Sequence, residues 1–167
     1  PNTSSAASDV YKRQVLDAQL AAIDACQVGN LYTDPHDAAR TVLAEGLIRL
    51  GVISQSLDEA LDPETGDLRK WYMHNTSHWI GLDVHDAGVY KPGGTPRVLE
   101  PGMCLTIEPG LYFGAWRPDV DCPERYANIG IRIEDDVLIT TDGPVVLTAD
   151  CPKSIDDIEN IVGQDLA

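Results

Sequence analysis

The sequence lacks a long apolar run and has few basic residues. Lysines and arginines number 12 against 27 aspartates and glutamates, so the formal net charge of the 167 residues is −15. Because phosphate binding needs clustered Lys and Arg, this charge argues against a nucleic-acid or anionic-lipid partner. The polar residues 1–5 cannot form the apolar part of a secretory signal. Together these absences predict a soluble protein without a nucleic-acid or membrane partner.

The sequence also lacks a C-x-x-C pair. Its four cysteines, Cys26, Cys104, Cys122 and Cys151, lie far apart. This spacing argues against a zinc ribbon and against a dense disulfide scaffold. A reducing, cytoplasmic compartment fits this use of cysteine best.

Residues 1–14 show neither a helical nor a strand period, and the chain begins with Pro rather than Met. We expect this segment to be a disordered leader or scar that is unrelated to the protein family of residues 15–167. The folded domain would then comprise residues 15–167.

Two helices are predicted at the start of this domain. Apolar residues repeat at helical spacing from Val15, and the stripe stops at Gly29. Asp34 as N-cap and Pro35 at the first helical position begin a second helix, which Gly51 closes.

Beyond residue 71, Gly and Pro interrupt the chain every few residues, and the segments between them alternate as strands do. The best strand candidates are residues 103–108, 111–113, 129–134 and 137–140. Short helices are predicted at residues 56–61 and 154–162. Helices followed by turn-linked, mostly antiparallel strands predict an α+β fold.

Three of the four histidines, His74, His78 and His85, fall within twelve residues. Histidines also cluster by chance, so the grouping alone leaves a functional and a structural interpretation open. The i, i+4 spacing of His74 and His78 matches a helical zinc-protease site, but that motif requires Glu after the first His. The sequence has Asn75 there, which excludes this site.

Two carboxylates stand on predicted strands. Glu108 shares a strand face with Thr106, just before a Pro-Gly pair. Arg132 and Glu134 project from the face opposite three isoleucines, where charges are costly unless they are paired or bind a metal. An Arg beside a Glu keeps the acid ionised, as a metal ligand must be, but a simple ion pair would explain both residues as well.

Imidazole and carboxylate groups without thiolates are a ligand set for Mn, Co, Zn or Fe rather than for a structural zinc site. Two neighbouring ions can share a carboxylate and hold a hydroxide that attacks a polarised carbonyl at neutral pH. The chemistry of the candidate residues therefore suggests a metallohydrolase.

Three segments carry a family resemblance: HNTSHWIGLDVHDAG at residues 74–88, RVLEPGMCLTIEPGLY at 97–112 and IGIRIEDD at 129–136. In this order and spacing they strongly resemble aminopeptidase P, the Xaa-Pro aminopeptidase of the pita-bread metallopeptidases. The resemblance runs from about residue 15 to the C-terminus. It implies the C-terminal part of a pita-bread catalytic domain, with helices packed on a curved, mostly antiparallel sheet.

The resemblance implies a metal site and a set of catalytic residues. His78, Glu108 and Glu134 would bind two divalent ions, with Glu134 as the bridge; Mn²⁺ is the expected metal, and Co²⁺ or Zn²⁺ are alternatives. His85 would steady the substrate carbonyl or the tetrahedral intermediate, and His74 would shape the proline side.

Two further roles follow from the same resemblance. Arg132 would support the ligands, and Glu108 would also transfer protons. The implied reaction removes an N-terminal residue from peptides with proline at the second position, through a hydroxide held between the two ions. The full-length protein is expected to form a homo-oligomer.

The sequence departs from the family pattern in two ways. Asn75 stands where Gly usually follows the first His, and this change removes no functional side chain. The family's other two metal ligands are aspartates on a hairpin upstream of Val15, and nothing in residues 1–14 resembles it. We therefore expect the first half of the fold to be absent and the chain alone to be inactive.

Two alternatives stay open. A prolidase shares the fold and the metals but cleaves dipeptides, although the Ser77-His78-Trp79 triplet looks more like the aminopeptidase. A pita-bread protein without catalysis would only bind peptides or partners. Against this second alternative, every ligand expected in this part of the fold is present.

Overall fold

The computed structural model describes residues 3–118 and 120–162. Within these residues lie four α-helices and five strands: α1 Thr3–Asp24, α2 Asp34–Arg49, α3 Leu57–Ala60, β1 Cys104–Ile107, β2 Gly110–Phe113, β3 Ile129–Arg132, β4 Asp135–Thr140, β5 Gly143–Val146 and α4 Ile155–Ile161. The strands pair antiparallel in the orders β1–β4–β5 and β2–β3. The predicted α+β class is confirmed. Among the described residues, no helix is both long and apolar enough to cross a membrane.

The residues at the two ends of helix α2 explain where it begins and ends. Pro35 lies in its first turn, and Gly51 follows its end at φ 70°, the left-handed conformation that favours glycine. The N-cap is Thr33, one residue before the predicted Asp34. The Asp34 carboxylate instead accepts a hydrogen bond of 2.8 Å from the backbone N–H of Leu31.

The two short helices also begin at capping residues. Ser56 and Glu59 form a capping box at α3, in which each side chain bonds the backbone N–H of the other residue. At α4, the Ser154 hydroxyl accepts from the backbone N–H of Asp157 at 3.1 Å. Both predicted helices are therefore present. Strand β5 is missing from the prediction because two of its four residues are Gly143 and Pro144, a pair that marks a turn in sequence.

Helix α1 begins at Thr3 rather than at Val15, so the expectation of disorder in residues 1–14 is wrong for the described part of that segment. The physical reason is a continuous buried stripe: Tyr11, Val15, Ala18 and Ala22 are all 0% exposed and follow one another at helical spacing. The sequence prediction begins this apolar stripe at Val15 and therefore misses Tyr11, its first buried residue. The foreign origin of the segment stays a prediction.

This packing predicts a large effect for Tyr11→Ala. The Tyr11 ring centroid lies 4.4 Å from that of Phe113 and 4.5 Å from that of Tyr126. We expect the substitution to lower the free energy of unfolding by about 3 kcal/mol, because it leaves a cavity among aromatic rings. Urea unfolding of the chain measures this change. Val10→Ala is the matched control: Val10 is 46% exposed, and its loss should change stability by less than about 0.5 kcal/mol. Unchanged stability of Tyr11→Ala would show that the segment does not pack on the domain.

Two short breaks in the strands separate the β1–β4–β5 sheet from the β2–β3 sheet, and the two breaks lie opposite each other. Residues 108–109 separate β1 from β2, and residues 133–134 separate β3 from β4. The flanking register pairs are Ile107↔Asp135 and Gly110↔Arg132. Glu108 and Glu134 therefore lie in facing interruptions, which brings the two carboxylates together although they are far apart in sequence.

Candidate metal centre

An irregular segment, residues 76–80, lies along β1 and carries His78. The backbone N–H of Glu108 donates to the Thr76 carbonyl at 2.8 Å, and that of Thr106 donates to the His78 carbonyl at 3.0 Å. The backbone N–H of His78 donates in turn to the Thr106 hydroxyl at 3.0 Å. These bonds place the imidazole next to the end of β1, where Glu108 begins the interruption of the sheet.

The side chains of His78, Glu108 and Glu134 meet at one point. Each offers one ligand atom, and these atoms all lie within 4.8 Å of one another. His78 Nδ1 is 3.1 Å from the Trp79 carbonyl, so in the neutral imidazole Nδ1 carries the proton and Nε2 presents its lone pair. His78 Nε2 lies 3.3 Å from Glu108 Oε1. Two acceptors at this distance repel each other unless a cation lies between them, so the donor set fits a divalent ion.

Within the described residues, the carboxylates around this point carry more negative charge than their neighbours balance. Arg132 Nη1 lies 3.5 Å from Glu108 Oε2, and the Thr106 hydroxyl donates to Glu108 Oε1 at 3.0 Å. Burial first, and the Glu108 carboxylate second, raise the pKa of Glu134, while the Arg132 guanidinium acts in the opposite direction. Two carboxylates share one half-exposed guanidinium, and a divalent cation would supply the missing positive charge.

The ion pair of Arg132 differs from the one that the sequence left open. One interpretation of the sequence paired Arg132 with Glu134, on the same strand face, and the family resemblance made Arg132 a support of the ligands in general. The ion pair that the structure gives Arg132 is with Glu108. The physical reason is the pairing of β2 with β3, which places Arg132 opposite Gly110, two residues after Glu108. Arg132 therefore supports a carboxylate across the sheet.

Tyr112 is a site residue that the sequence analysis missed. Arg132 Nε donates to the Tyr112 hydroxyl oxygen at 2.7 Å, and this hydroxyl lies 2.8 Å from His74 Nε2. His74 Nδ1 lies 2.8 Å from the Asn75 carbonyl, which only accepts, so Nε2 accepts from Tyr112. Burial lowers the pKa of His74 and favours this neutral ring. The available signal was strand alternation, since Tyr112 is half-buried between the fully buried Leu111 and Phe113.

His85 lies at the edge of the centre in an exposed, irregular segment. Its ring centroid is 4.4 Å from that of His78, and the two rings meet edge to face at 81°. The structure therefore brings all three predicted histidines to one region: His78 to the carboxylates, His85 against His78, and His74 to the Tyr112–Arg132 side.

The fourth histidine, His36, supports the segment that carries His78. Its Nδ1 accepts from the backbone N–H of Thr76 at 3.3 Å and lies 2.8 Å from the Thr76 hydroxyl, which also contacts the Tyr72 hydroxyl at 2.5 Å. Burial lowers the pKa of His36 to about 4, which keeps Nδ1 free to accept. Helix α2 is thereby tied to the start of the ligand-bearing segment.

Comparison with known proteins gives a consistent set of relatives. The model of metallopeptidase family M24 matches residues 2–141. Xaa-Pro aminopeptidase 1 of Streptomyces coelicolor is 45% identical over 146 residues, which cover 87% of this chain and 29% of that protein. The chain therefore spans about a third or less of the length of such relatives.

Two solved structures are similar over nearly the whole chain. Aminopeptidase PepP of Pseudomonas aeruginosa has a TM-score of 0.84 and 41% sequence identity, covering 91% of this chain and 34% of that one. Aminopeptidase P from Escherichia coli, with the inhibitor Pro-Leu, has a TM-score of 0.83 and 39% identity, covering 93% of this chain and 34% of that one.

Proposed function

Because this chain belongs to metallopeptidase family M24 and has the α+β pita-bread fold of its aminopeptidase P relatives, we propose that it forms part of a proline-specific aminopeptidase. The reaction would hydrolyse the bond between an N-terminal residue and a following proline. The observation that carries this proposal is the meeting of His78, Glu108 and Glu134 within 4.8 Å. The substrate class rests on relatives named Xaa-Pro aminopeptidase and on the Pro-Leu inhibitor of the Escherichia coli structure.

Three residues of this chain would hold the metals. His78, Glu108 and Glu134 would be ligands of two divalent ions, with Glu134 as the bridge and Mn²⁺ as the metal; Co²⁺ and Zn²⁺ satisfy the same donors. When bound, the ions would polarise the scissile carbonyl and lower the pKa of the attacking water. This chain matches about a third of each relative. We propose that two aspartate ligands come from the rest of the catalytic domain, which the relatives contain outside the matched segment.

The remaining residues would act on the substrate and on protons. Glu108 would take a proton from the attacking water and return it to the departing amine, while Arg132 and Thr106 hold its two oxygens in place. His85, exposed beside His78, would donate a hydrogen bond to the substrate carbonyl as negative charge develops on its oxygen.

The chain from His74 through Tyr112 to Arg132 would shape the proline side. A cavity of about 350 Å³ lies beside His74, and its wall includes Tyr72 and Met73 as well as the charged Arg40, Asp62 and Arg69. The Tyr72, Met73 and His74 part of this wall would suit a pyrrolidine ring, because these groups present apolar or aromatic faces. His74 would thus contribute to substrate choice.

Two properties of the whole protein belong to the same proposal. A cytoplasmic location rests on the four cysteines, all of which are free thiols. Assembly into a homo-oligomer rests on the resemblance to the family alone.

A chimera tests the proposed function. This chain would replace the matching segment of the Streptomyces coelicolor Xaa-Pro aminopeptidase 1, and release of the N-terminal residue would be measured with Mn²⁺ on Xaa-Pro-Yaa, Xaa-Ala-Yaa and Xaa-Pro peptides. We expect cleavage of Xaa-Pro-Yaa peptides, little cleavage of Xaa-Ala-Yaa peptides, and loss of activity in the Glu134→Gln variant. A preference for Xaa-Pro dipeptides would favour a prolidase. Metal binding without cleavage of any peptide would favour a binding protein.

A further inference from the structure

One carboxylate lies on the buried face of β4. In the alternating stretch of residues 129–139, the core face carries isoleucines, a valine and Asp135, and Asp135 is only 2% exposed. Strand alternation points its side chain to the side opposite Glu134, so Asp135 is not a fourth ligand of the metal centre. A carboxylate buried among aliphatic side chains is costly unless its oxygens are hydrogen-bonded or paired.

A closed set of donors surrounds this carboxylate. Asp135 Oδ1 receives the Lys153 ammonium at 2.8 Å and the Thr148 hydroxyl at 2.5 Å, and Oδ2 receives Gln19 Nε2 at 3.0 Å. Lys153 Nζ also donates to the carbonyls of Thr148 and Cys151, at 2.9 and 2.7 Å, so all three of its N–H groups have partners. We call Asp135, Lys153, Thr148 and Gln19 the Asp135 network. It joins helix α1, strand β4 and the segment that follows β5.

The Asp135 network reaches the backbone next to two metal-ligand candidates. Asp135 directly follows Glu134 in the chain. Gln19 Nε2 also lies 3.4 Å from the carbonyl of Ile107, which directly precedes Glu108. Ile107 and Asp135 are register partners, so one amide group contacts both strands at the edge of the interruption in the sheet.

We propose that Asp135 is a positioning residue, which the Asp135 network clamps so that Glu108 and Glu134 stay close enough to share a divalent ion. The inference rests on the proposed metal centre. Its physical reason is the interruption of the strand ladder at residues 108–109 and 133–134, where two like charges would otherwise move apart. Holding ligands from the far side of the sheet lowers the cost of assembling them around an ion.

A purely structural role is the competing explanation, because removal of one partner from a buried ion pair leaves the other charge unpaired and destabilises the fold. Ion affinity and thermal stability separate the two explanations. Titration calorimetry with Mn²⁺ and Zn²⁺ on the purified 167-residue chain measures the affinity, and thermal unfolding of the metal-free chain measures stability. Asp135→Asn keeps the shape of the side chain but removes its charge. The double variant Asp135→Asn with Lys153→Met leaves no buried unpaired charge.

We expect Asp135→Asn to weaken ion binding about tenfold or more and to lower the melting temperature. The double variant should recover much of the melting temperature but none of the ion affinity. Asp142→Asn, the same charge change on an exposed turn, should leave both unchanged. An ion affinity equal to wild type in Asp135→Asn would overturn the proposal, whatever the melting temperature.

If Asp135→Asn does not fold, the Gln19→Met variant tests the proposal instead. It removes the amide contacts with Asp135 and with the Ile107 carbonyl and leaves the Asp135–Lys153 pair intact. Weaker ion binding by Gln19→Met supports positioning, and unchanged binding overturns it. Failure of the proposed metal centre has a different signature: the wild-type chain itself would bind neither ion, and Glu134→Gln would behave like wild type. Failure of the proposed peptidase activity alone would appear only in the chimera assay and would leave these ion affinities unchanged.

Discussion

The purified 167-residue chain is expected to show no measurable Xaa-Pro cleavage, even with excess Mn²⁺. Three candidate ligand side chains converge in the described part of the chain, and three ligands would be enough to hold one ion. A second ion would be left with shared carboxylates alone, and two carboxylates in water bind a divalent ion weakly. The proposed pair of ions, which would activate water and polarise the carbonyl, should therefore not assemble.

An assay of Xaa-Pro-Yaa cleavage measures this difference directly. The chimera defined above, which brings the relative's remaining domain to this chain, should exceed the isolated chain by more than about 10³-fold. Proline-specific cleavage by the isolated chain that disappears in Glu134→Ala would contradict the expectation. That variant distinguishes true activity from a contaminating peptidase.

The second large effect is expected from His85→Ala in the chimera. This side chain is exposed, and its ring centroid lies 4.4 Å from that of the His78 ring. Its proposed partner is the substrate oxygen, so its loss should lower kcat by about 10²-fold and leave the bound metal nearly unchanged. Peptidase kinetics together with elemental analysis of the purified variant measure both quantities.

The matched control is His78→Ala, which removes the neighbouring imidazole and should lower the metal content as well as the activity. If His85→Ala loses most of its metal, His85 is a ligand and its proposed role on the substrate is wrong. If neither metal nor kcat changes, its position beside His78 has no part in the reaction.

The helix ends illustrate what local sequence determines. A cap needs a hydroxyl or carboxylate and a backbone N–H two or three residues away, so Ser56 with Glu59 and Ser154 with Asp157 carry their signal within one turn. Gly51 is similarly local, because only the conformation of one residue is involved. The start of α1 is different: burial of Tyr11 depends on Phe113 and Tyr126, about a hundred residues away.

The sequence by itself determined the α+β class, because helical periods and strand alternation are properties of residues close together in the chain. The resemblance of its three motifs to a known family named His78, Glu108 and Glu134 as candidate ligands. The tertiary structure alone decided that Arg132 pairs with Glu108 and that Tyr112 links Arg132 to His74. The reason is the antiparallel register of β1 with β4 and of β2 with β3, which sets two interruptions side by side. Distances between ligand atoms follow from that register, and no local pattern encodes it.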